Sequence, residues 1–303
     1  MTLQHVTGHT IKNAMTVDVE DYFQVSAFES IIKRAQWDTL PQRVERNTHR
    51  VMDLFAQGGV RATFFTLGWV AERHPQLIRR MVSEGHELAS HGYSHVRVTR
   101  QQPAEFREDI MRTKKMLEDL GGVPVRGYRA ASYSIGAANL WALDELKGAG
   151  YDYSSSIYPV KHDLYGMPDC PRFACYPRGH DSILEIPVTT IELLGNKLPC
   201  GGGGYFRLYP YAVSRWALRR VNNHDRQPGL FYFHPWEIDP GQPRQQNIPL
   251  KTRVRHYLNL SRMEARLKAL MKDFSWGRMD EIFLTADSNG TAAVQNTVRV
   301  ARG

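Results

Sequence analysis

Cysteine is scarce in this 303-residue chain: Cys170, Cys175 and Cys200 are the only three. An odd count without a Cys-x-x-Cys pair argues against a disulfide framework and predicts idle thiols in a reducing compartment. Long apolar runs are missing too; none approaches the roughly 20 residues that a membrane span requires. Met1 to Asn13 is polar and lacks the apolar core of a signal peptide. A cytoplasmic protein is therefore expected, with the inner membrane face as its place if its basic surface meets anionic lipid. Internal repeats and low-complexity tracts are absent. Acidic residues are outnumbered: 31 Asp and Glu face 39 Lys and Arg, a net charge of +8. Such an excess favours acidic partners. It forms no single long block and no nucleic-acid motif accompanies it, so nucleic acid is set aside and peripheral contact with anionic membrane is retained.

What is present is a core-forming sequence, 42% hydrophobic, in which strand-like and helix-like patterns alternate. Met15 to Val19, Arg61 to Leu67, His86 to Ser90, Val125 to Tyr128 and Tyr151 to Ser154 read as buried strands. Between them, Val44 to Gln57, Pro75 to Ser83, Pro103 to Leu120 and Asn139 to Gly148 read as helices, several stopped by glycine. This order implies an α/β fold with a parallel sheet, open or closed into a barrel. From about residue 158 the chain becomes rich in Pro, Gly and aromatics; Ile183 to Val188 reads as a short strand there, and Gly201 to Gly204 reads as a flexible rim. Leu230 to Phe233 is one more strand, and Arg253 to Phe274 a basic amphipathic helix or helix pair. The tail from Ala286 is expected to fray.

Polar residues gather at the strand ends, where sites in parallel sheets are built. Asp18, Glu20 and Asp21 follow the first strand, His91 and His95 the third, Arg129 the fourth and His234 the last. Two imidazoles four residues apart reach one cation from a single turn of backbone, and neutral His is the usual nitrogen ligand for zinc. Two His and one carboxylate leave positions open for water and substrate. A second carboxylate supplies a general base, a protonated His a general acid, and an Arg keeps the base ionised. Together these groups specify metal-assisted hydrolysis of an amide or ester.

Four segments resemble, in order and spacing, the motifs of the polysaccharide deacetylase family, carbohydrate esterase family 4 with its NodB homology domain. They are Thr16 to Asp21, His91 to His95, Tyr128 to Tyr133 and Leu230 to His234. Arg61 to Gly68 and Gly85-His86-Glu87 support the likeness. The opening Asp18-Val19-Glu20-Asp21, the run Gly203 to Arg207 and the ending His234-Pro235-Trp236-Glu237 resemble a bacterial subgroup associated with exopolysaccharide gene clusters and carrying an extra C-terminal region. The resemblance implies a distorted (β/α) barrel, usually of seven strands. The barrel domain would cover 14–240, with inserted loops from about 160, and a helical extension packed on it would cover 241–303. It also implies removal of an N-acetyl group from an amino sugar in a glycan, with one divalent metal ion, zinc ahead of cobalt, nickel or manganese.

Position by position, the resemblance makes Asp18 the base, Arg129 the residue that orients it, His91 and His95 metal ligands and His234 the general acid. A backbone N–H near Tyr133 becomes an oxyanion donor. Where the family has adjacent aspartates, Val19 follows Asp18, so the third ligand is Glu20 or Asp21. Residues two apart on a strand share a face, which favours Glu20; a strand that has already ended allows Asp21. Ala131 stands where the family has Pro, which should loosen that loop. Asp152, Glu185 and Glu237 are candidates to raise the pKa of His234, and Trp236, Tyr205, Phe206 and Tyr133 are candidate sugar platforms. Two other readings remain: a deformylase or cyclic-amide hydrolase on the same fold, and a catalytically silent glycan-binding protein.

Overall fold

The computed structural model describes residues 11–161 and 166–284. The frayed tail expected from Ala286 lies outside them. In chain order the elements are β1 (Lys12–Val19), α1 (Val44–Gly58), β2 (Thr63–Thr66), α2 (Gly68–Arg73), α3 (Pro75–Ser83), β3 (Glu87–Ser90), α4 (Pro103–Gly121), β4 (Gly127–Tyr128), α5 (Trp141–Gly148), β5 (Tyr153–Ser154) and β6 (Leu184–Glu185). There follow β7 (Thr190–Leu193), β8 (Asn196–Pro199), α6 (Gly203–Leu208), α7 (Tyr211–Arg220), β9 (Leu230–Phe233), α8 (Leu250–Tyr257), α9 (Leu260–Asp273), β10 (Ser275–Gly277) and α10 (Met279–Phe283).

Seven strands run parallel in the order β9-β1-β2-β3-β4-β5-β6. Among the described residues β6 and β9 do not pair, so the barrel is open there. β10 adds an eighth parallel strand beside Lys12 to Ala14. The segment after 240 therefore contributes a strand to the sheet as well as the helix pair α8 and α9. β7 and β8 form a separate antiparallel hairpin.

β1 shows why this sheet forms. Met15, Val17 and Val19 are fully buried on one side and Ala14 on the other, as expected of a central parallel strand covered on both faces. The larger core lies between the sheet and its helices. A smaller one, with Ala14, Phe65, Ala89, Tyr153 and Leu230, fills the barrel interior. α10 closes the end where the strands begin: the backbone N–H of Met279 donates to Thr63 Oγ1 at 2.8 Å and that of Asp280 to Glu87 Oε2 at 3.1 Å. The opposite end is left open for chemistry. α1 stops at Gly59, whose φ of 63° needs a residue without Cβ strain. Cys170 and Cys175 are buried free thiols with their sulfurs 4.0 Å apart.

Candidate active site

Thr16 and Asp18 share the inward face of β1, and Glu20 follows one step beyond its end. All three are buried. Arg129, fully buried just after β4, donates from Nη1 to Asp18 Oδ1 at 2.5 Å and to Thr16 Oγ1 at 2.9 Å. It also donates to Ser155 Oγ at 3.1 Å and to the Ser155 carbonyl at 3.3 Å, and the Phe65 ring lies 3.9 Å from the guanidinium. Burial works against this charge, but Asp18 and the nearby phenol of Tyr133 raise the Arg129 pKa above its ordinary value. The carboxylate of Asp18 is thus oriented and charge-balanced from inside the barrel.

One ligand atom each from Glu20, His91 and His95 lies within 4.8 Å of the others. His91 Nδ1 sits 2.8 Å from the carbonyl oxygen of Arg129. A carbonyl only accepts, so Nδ1 carries the proton and Nε2 presents a lone pair. Burial lowers the His91 pKa to about 4, keeping the ring neutral at pH 7. Glu20 Oε2 is buried with no hydrogen-bond donor, although His95 Nε2 is 3.0 Å away outside hydrogen-bond geometry. Burial alone would raise the Glu20 pKa; His95 and His234 overcome it and bring it down to about 2. A buried carboxylate oxygen without a donor, facing two imidazole nitrogens, is a donor set that fits a divalent cation. His95 reaches this cluster from a left-handed backbone (φ 54°), uncommon for a residue other than glycine. Arg34 secures that turn, donating to the carbonyls of Ser94 at 2.7 Å and His95 at 2.9 Å.

Asp21 is elsewhere. Its carboxylate accepts from the backbone N–H groups of Tyr22 (2.8 Å), Arg43 (2.6 Å) and Val44 (2.9 Å), so it caps the start of α1 and is not free to join the cluster. Glu20, and not Asp21, therefore faces the imidazoles, because the two-residue period of β1 carries one step past the strand's end.

His234, immediately after β9, places Nε2 at 3.4 Å from Glu20 Oε1 and 3.9 Å from Asp18 Oδ2. Its Nδ1 is 2.8 Å from Glu237 Oε1. Burial disfavours the imidazolium, but Glu20, Glu237 and Asp18 raise its pKa to about 9. Of the three partner candidates only Glu237 is used. Asp152 pairs with Arg126 near the surface, and Glu185 accepts the backbone N–H groups of Ser156 and Ile157.

Residues 35–154 match the family described as Polysaccharide deacetylase, and residues 155–284 match a domain of unknown function, DUF3473. A peptidoglycan-N-acetylglucosamine deacetylase of Bacillus cereus is 37% identical over 75 residues, 25% of this chain and 27% of that protein. A chitooligosaccharide deacetylase of a Bradyrhizobium species is 34% identical over 99 residues, 33% of this chain and 43% of that protein. The chain thus spans less than half the length of these relatives. Residues 35–154 are thus similar to the polysaccharide deacetylase family. The fold agrees. A candidate polysaccharide deacetylase from Mycobacterium smegmatis superposes with a TM-score of 0.58 at 19% identity, covering 90% of this chain and 88% of that one. An allantoinase gives 0.57 at 16% identity, covering 92% and 91%.

The segment 35–154 holds only part of this site: His91, His95 and Arg129. Asp18 and Glu20 precede it, and His234 and Glu237 come from the domain of unknown function. That second segment also supplies Arg207, a residue with no assigned role in the sequence motifs. Fully buried, it donates from Nε to Glu237 Oε2 at 2.6 Å and from its other nitrogens to the carbonyls of Arg255, His256 and Leu258. Burial would raise the Glu237 pKa, but Arg207 and His234 lower it to about 2. The glycine run is not a flexible rim. Gly201 to Gly203 are buried, and a Cβ on Gly203 would collide with the Glu237 carboxylate, so its small size lets α6 approach that group. The sequence signal for Arg207 was its place at the end of the run Gly203 to Arg207, a charged residue directly after two aromatics.

Other expected positions are corrected. Trp236 is buried and lines the cavity, its ring near parallel to those of His234 (centroids 5.2 Å) and His256 (4.2 Å). Phe206 is fully buried in the core. The N–H of Tyr133 is spent on the carbonyl of Ala130 at 3.0 Å, inside a short turn, and so is not an oxyanion donor here. The turn after Ala131 is tied down by a 2.5 Å contact between the Ser132 and Ser26 hydroxyls, which offsets the missing proline. Tyr133 lines the cavity, packed on Tyr232 with centroids 4.9 Å apart. That cavity, about 680 Å³, has Asp18, Glu20, His91, His95 and His234 at its floor and Tyr205 and α8 along one wall.

The Glu237 contact carries a pH prediction. Were His234 to act as a general acid it would have to be protonated, and its raised pKa keeps it so through neutral pH. Glu237→Gln removes one upward pull and leaves burial, so the alkaline fall in kcat should move to lower pH. About a tenfold loss at pH 8 with little loss at pH 6 is expected, measured as a pH–rate profile. A uniform loss at every pH would assign Glu237 a purely structural role.

Proposed function

We propose that this protein is a metal-dependent N-deacetylase acting on an N-acetylated amino sugar in a bacterial surface polysaccharide or exopolysaccharide, or in its lipid-linked precursor. One observation carries the reading. Asp18, held by Arg129, and His234, held by Glu237, border the same three-donor cluster of Glu20, His91 and His95. Zinc is the cation this set of two imidazoles and one carboxylate suits best, and a bound divalent cation lowers the pKa of water and polarises a carbonyl. The remaining roles belong to side chains. Asp18 accepts a proton from the attacking water. Arg129 aims Asp18 and balances its charge. His234, as imidazolium, gives its proton to the departing amine, and Glu237 with Arg207 behind it keeps His234 charged and oriented. The names of the curated relatives, peptidoglycan-N-acetylglucosamine and chitooligosaccharide deacetylases, support the N-acetyl sugar as substrate.

The test is acetate release from N-acetylglucosamine oligomers by the zinc-reconstituted protein. Stoichiometric metal with acetate release supports the reading. Metal bound and no acetate from any oligomer overturns the glycan assignment and directs attention to small cyclic amides, since the fold is shared with an allantoinase. A protein that cannot be loaded with metal is not a metallohydrolase, and the glycan-binding reading then replaces it.

A further inference from the structure

The chain's whole charge excess is local, although no run of consecutive cations reveals it. Residues 203–268 contain twelve Lys and Arg against four Asp and Glu; the rest of the chain is balanced at 27 of each. The same segment holds most of the large apolar side chains left in water. Leu250 is 73% exposed, and Leu208, Tyr209 and Val254 are exposed on α6, after it and on α8. Three of them, Leu208, Leu250 and Val254, meet at the catalytic cavity. Leu208, Leu250, Val254, Lys251 and Arg255 line that cavity, and Leu208 also borders a neighbouring shallow hollow of about 620 Å³ with Arg262 on its wall. Lys251, Arg253, Arg255 and Arg262 make no ion pair among the described residues.

We propose that the rim formed by α6 and α8 docks on an anionic lipid bilayer, so that the catalytic cavity opens at the membrane surface. Exposed leucines interleaved with unpaired cations are the composition of a segment that lies in a bilayer interface: apolar side chains enter the acyl boundary and cations meet anionic headgroups. Charge complementarity selects the occupant. A protein partner would match the leucines but has no reason to require so many unpaired cations, and a soluble acidic glycan would match the cations but not the leucines. The contact is peripheral, since no helix among the described residues is long and apolar enough to cross a membrane. It places the cavity where a lipid-linked glycan would present its sugar, which goes beyond the proposed deacetylation without depending on it.

The experiment reads binding and not turnover, so its failure is separate from failure of the catalytic reading. The full chain is sedimented with vesicles of phosphatidylcholine alone and with vesicles containing a third phosphatidylglycerol. Binding to the anionic vesicles only, weakened at 0.5 M salt, is expected. Lys251→Gln with Arg255→Gln should weaken it by roughly twentyfold, about fivefold per cation. Leu250→Ser with Val254→Ser should weaken it by about tenfold or more, because the apolar contribution is lost. All four side chains are in contact with water, and an unchanged melting curve and circular dichroism spectrum confirm folding. Absence of binding to anionic vesicles, equal binding to neutral ones, or indifference to both double substitutions overturns the proposal. Retention on a soluble acidic polysaccharide without vesicle binding overturns it too, in favour of a charged glycan.

Discussion

Asp18→Asn is expected to lower kcat for acetate release by about a hundredfold to ten-thousandfold while leaving bound metal unchanged. Asn preserves the shape of Asp and removes its capacity to take a proton. The metal should stay because Asp18 is outside the cluster of Glu20, His91 and His95. Stability should fall as well, since Arg129 is fully buried and loses its counterion. Folding should survive, because Thr16, Ser155 and the Phe65 ring still hold the guanidinium. The measurements are kcat, metal content and melting temperature on one preparation. A variant that keeps within a factor of five of wild-type kcat would remove Asp18 from the role of base.

The second large effect separates two neighbouring carboxylates. Glu20→Gln should abolish tight zinc binding, and Asp21→Ala should retain it. A ligand that binds only the folded state raises stability by RT ln(1 + [L]/Kd), about 2.7 kcal/mol at a hundredfold excess over Kd. For a chain of this size that is a rise in melting temperature of about 5 °C. The wild type and Asp21→Ala should both show this rise on adding zinc to the apo-protein, and Glu20→Gln should not. Asp21→Ala should begin from a lower baseline, by about 2 kcal/mol or more, because the backbone N–H groups of Arg43 and Val44 at the start of α1, and that of Tyr22, lose their acceptor. A zinc response that disappears in Asp21→Ala and persists in Glu20→Gln would reverse the assignment.

Much of the barrel was legible because its signals are local. Pro75 to Ser83 forms the helix that its starting proline and apolar spacing predict, and Leu230 to Phe233 forms the strand. Arg253 to Phe274 resolves into α8 and α9, broken at Asn259, where φ is 54°. Asp18, His91, Arg129 and His234 meet at one rim because parallel strands deliver their C-terminal ends to the same side of the sheet. The misplaced residues were those whose roles depend on what covers them. Phe206 has the chemistry of a sugar platform, but the core buries it completely. Tyr133 has a backbone N–H of the right kind, but the turn itself consumes it.

The sequence by itself determined the family likeness, the strand ends and the residue types for metal binding, base and acid, since these follow from short-range periodicity and motif spacing. Tertiary structure alone decided that Glu20 and not Asp21 faces the imidazoles, that Glu237 and not Asp152 or Glu185 holds His234, and that Arg207 stands behind Glu237. It also decided that α8 walls the cavity. Each of these outcomes turns on which side chains meet across elements far apart in the chain, and on which polar atoms burial leaves without another partner.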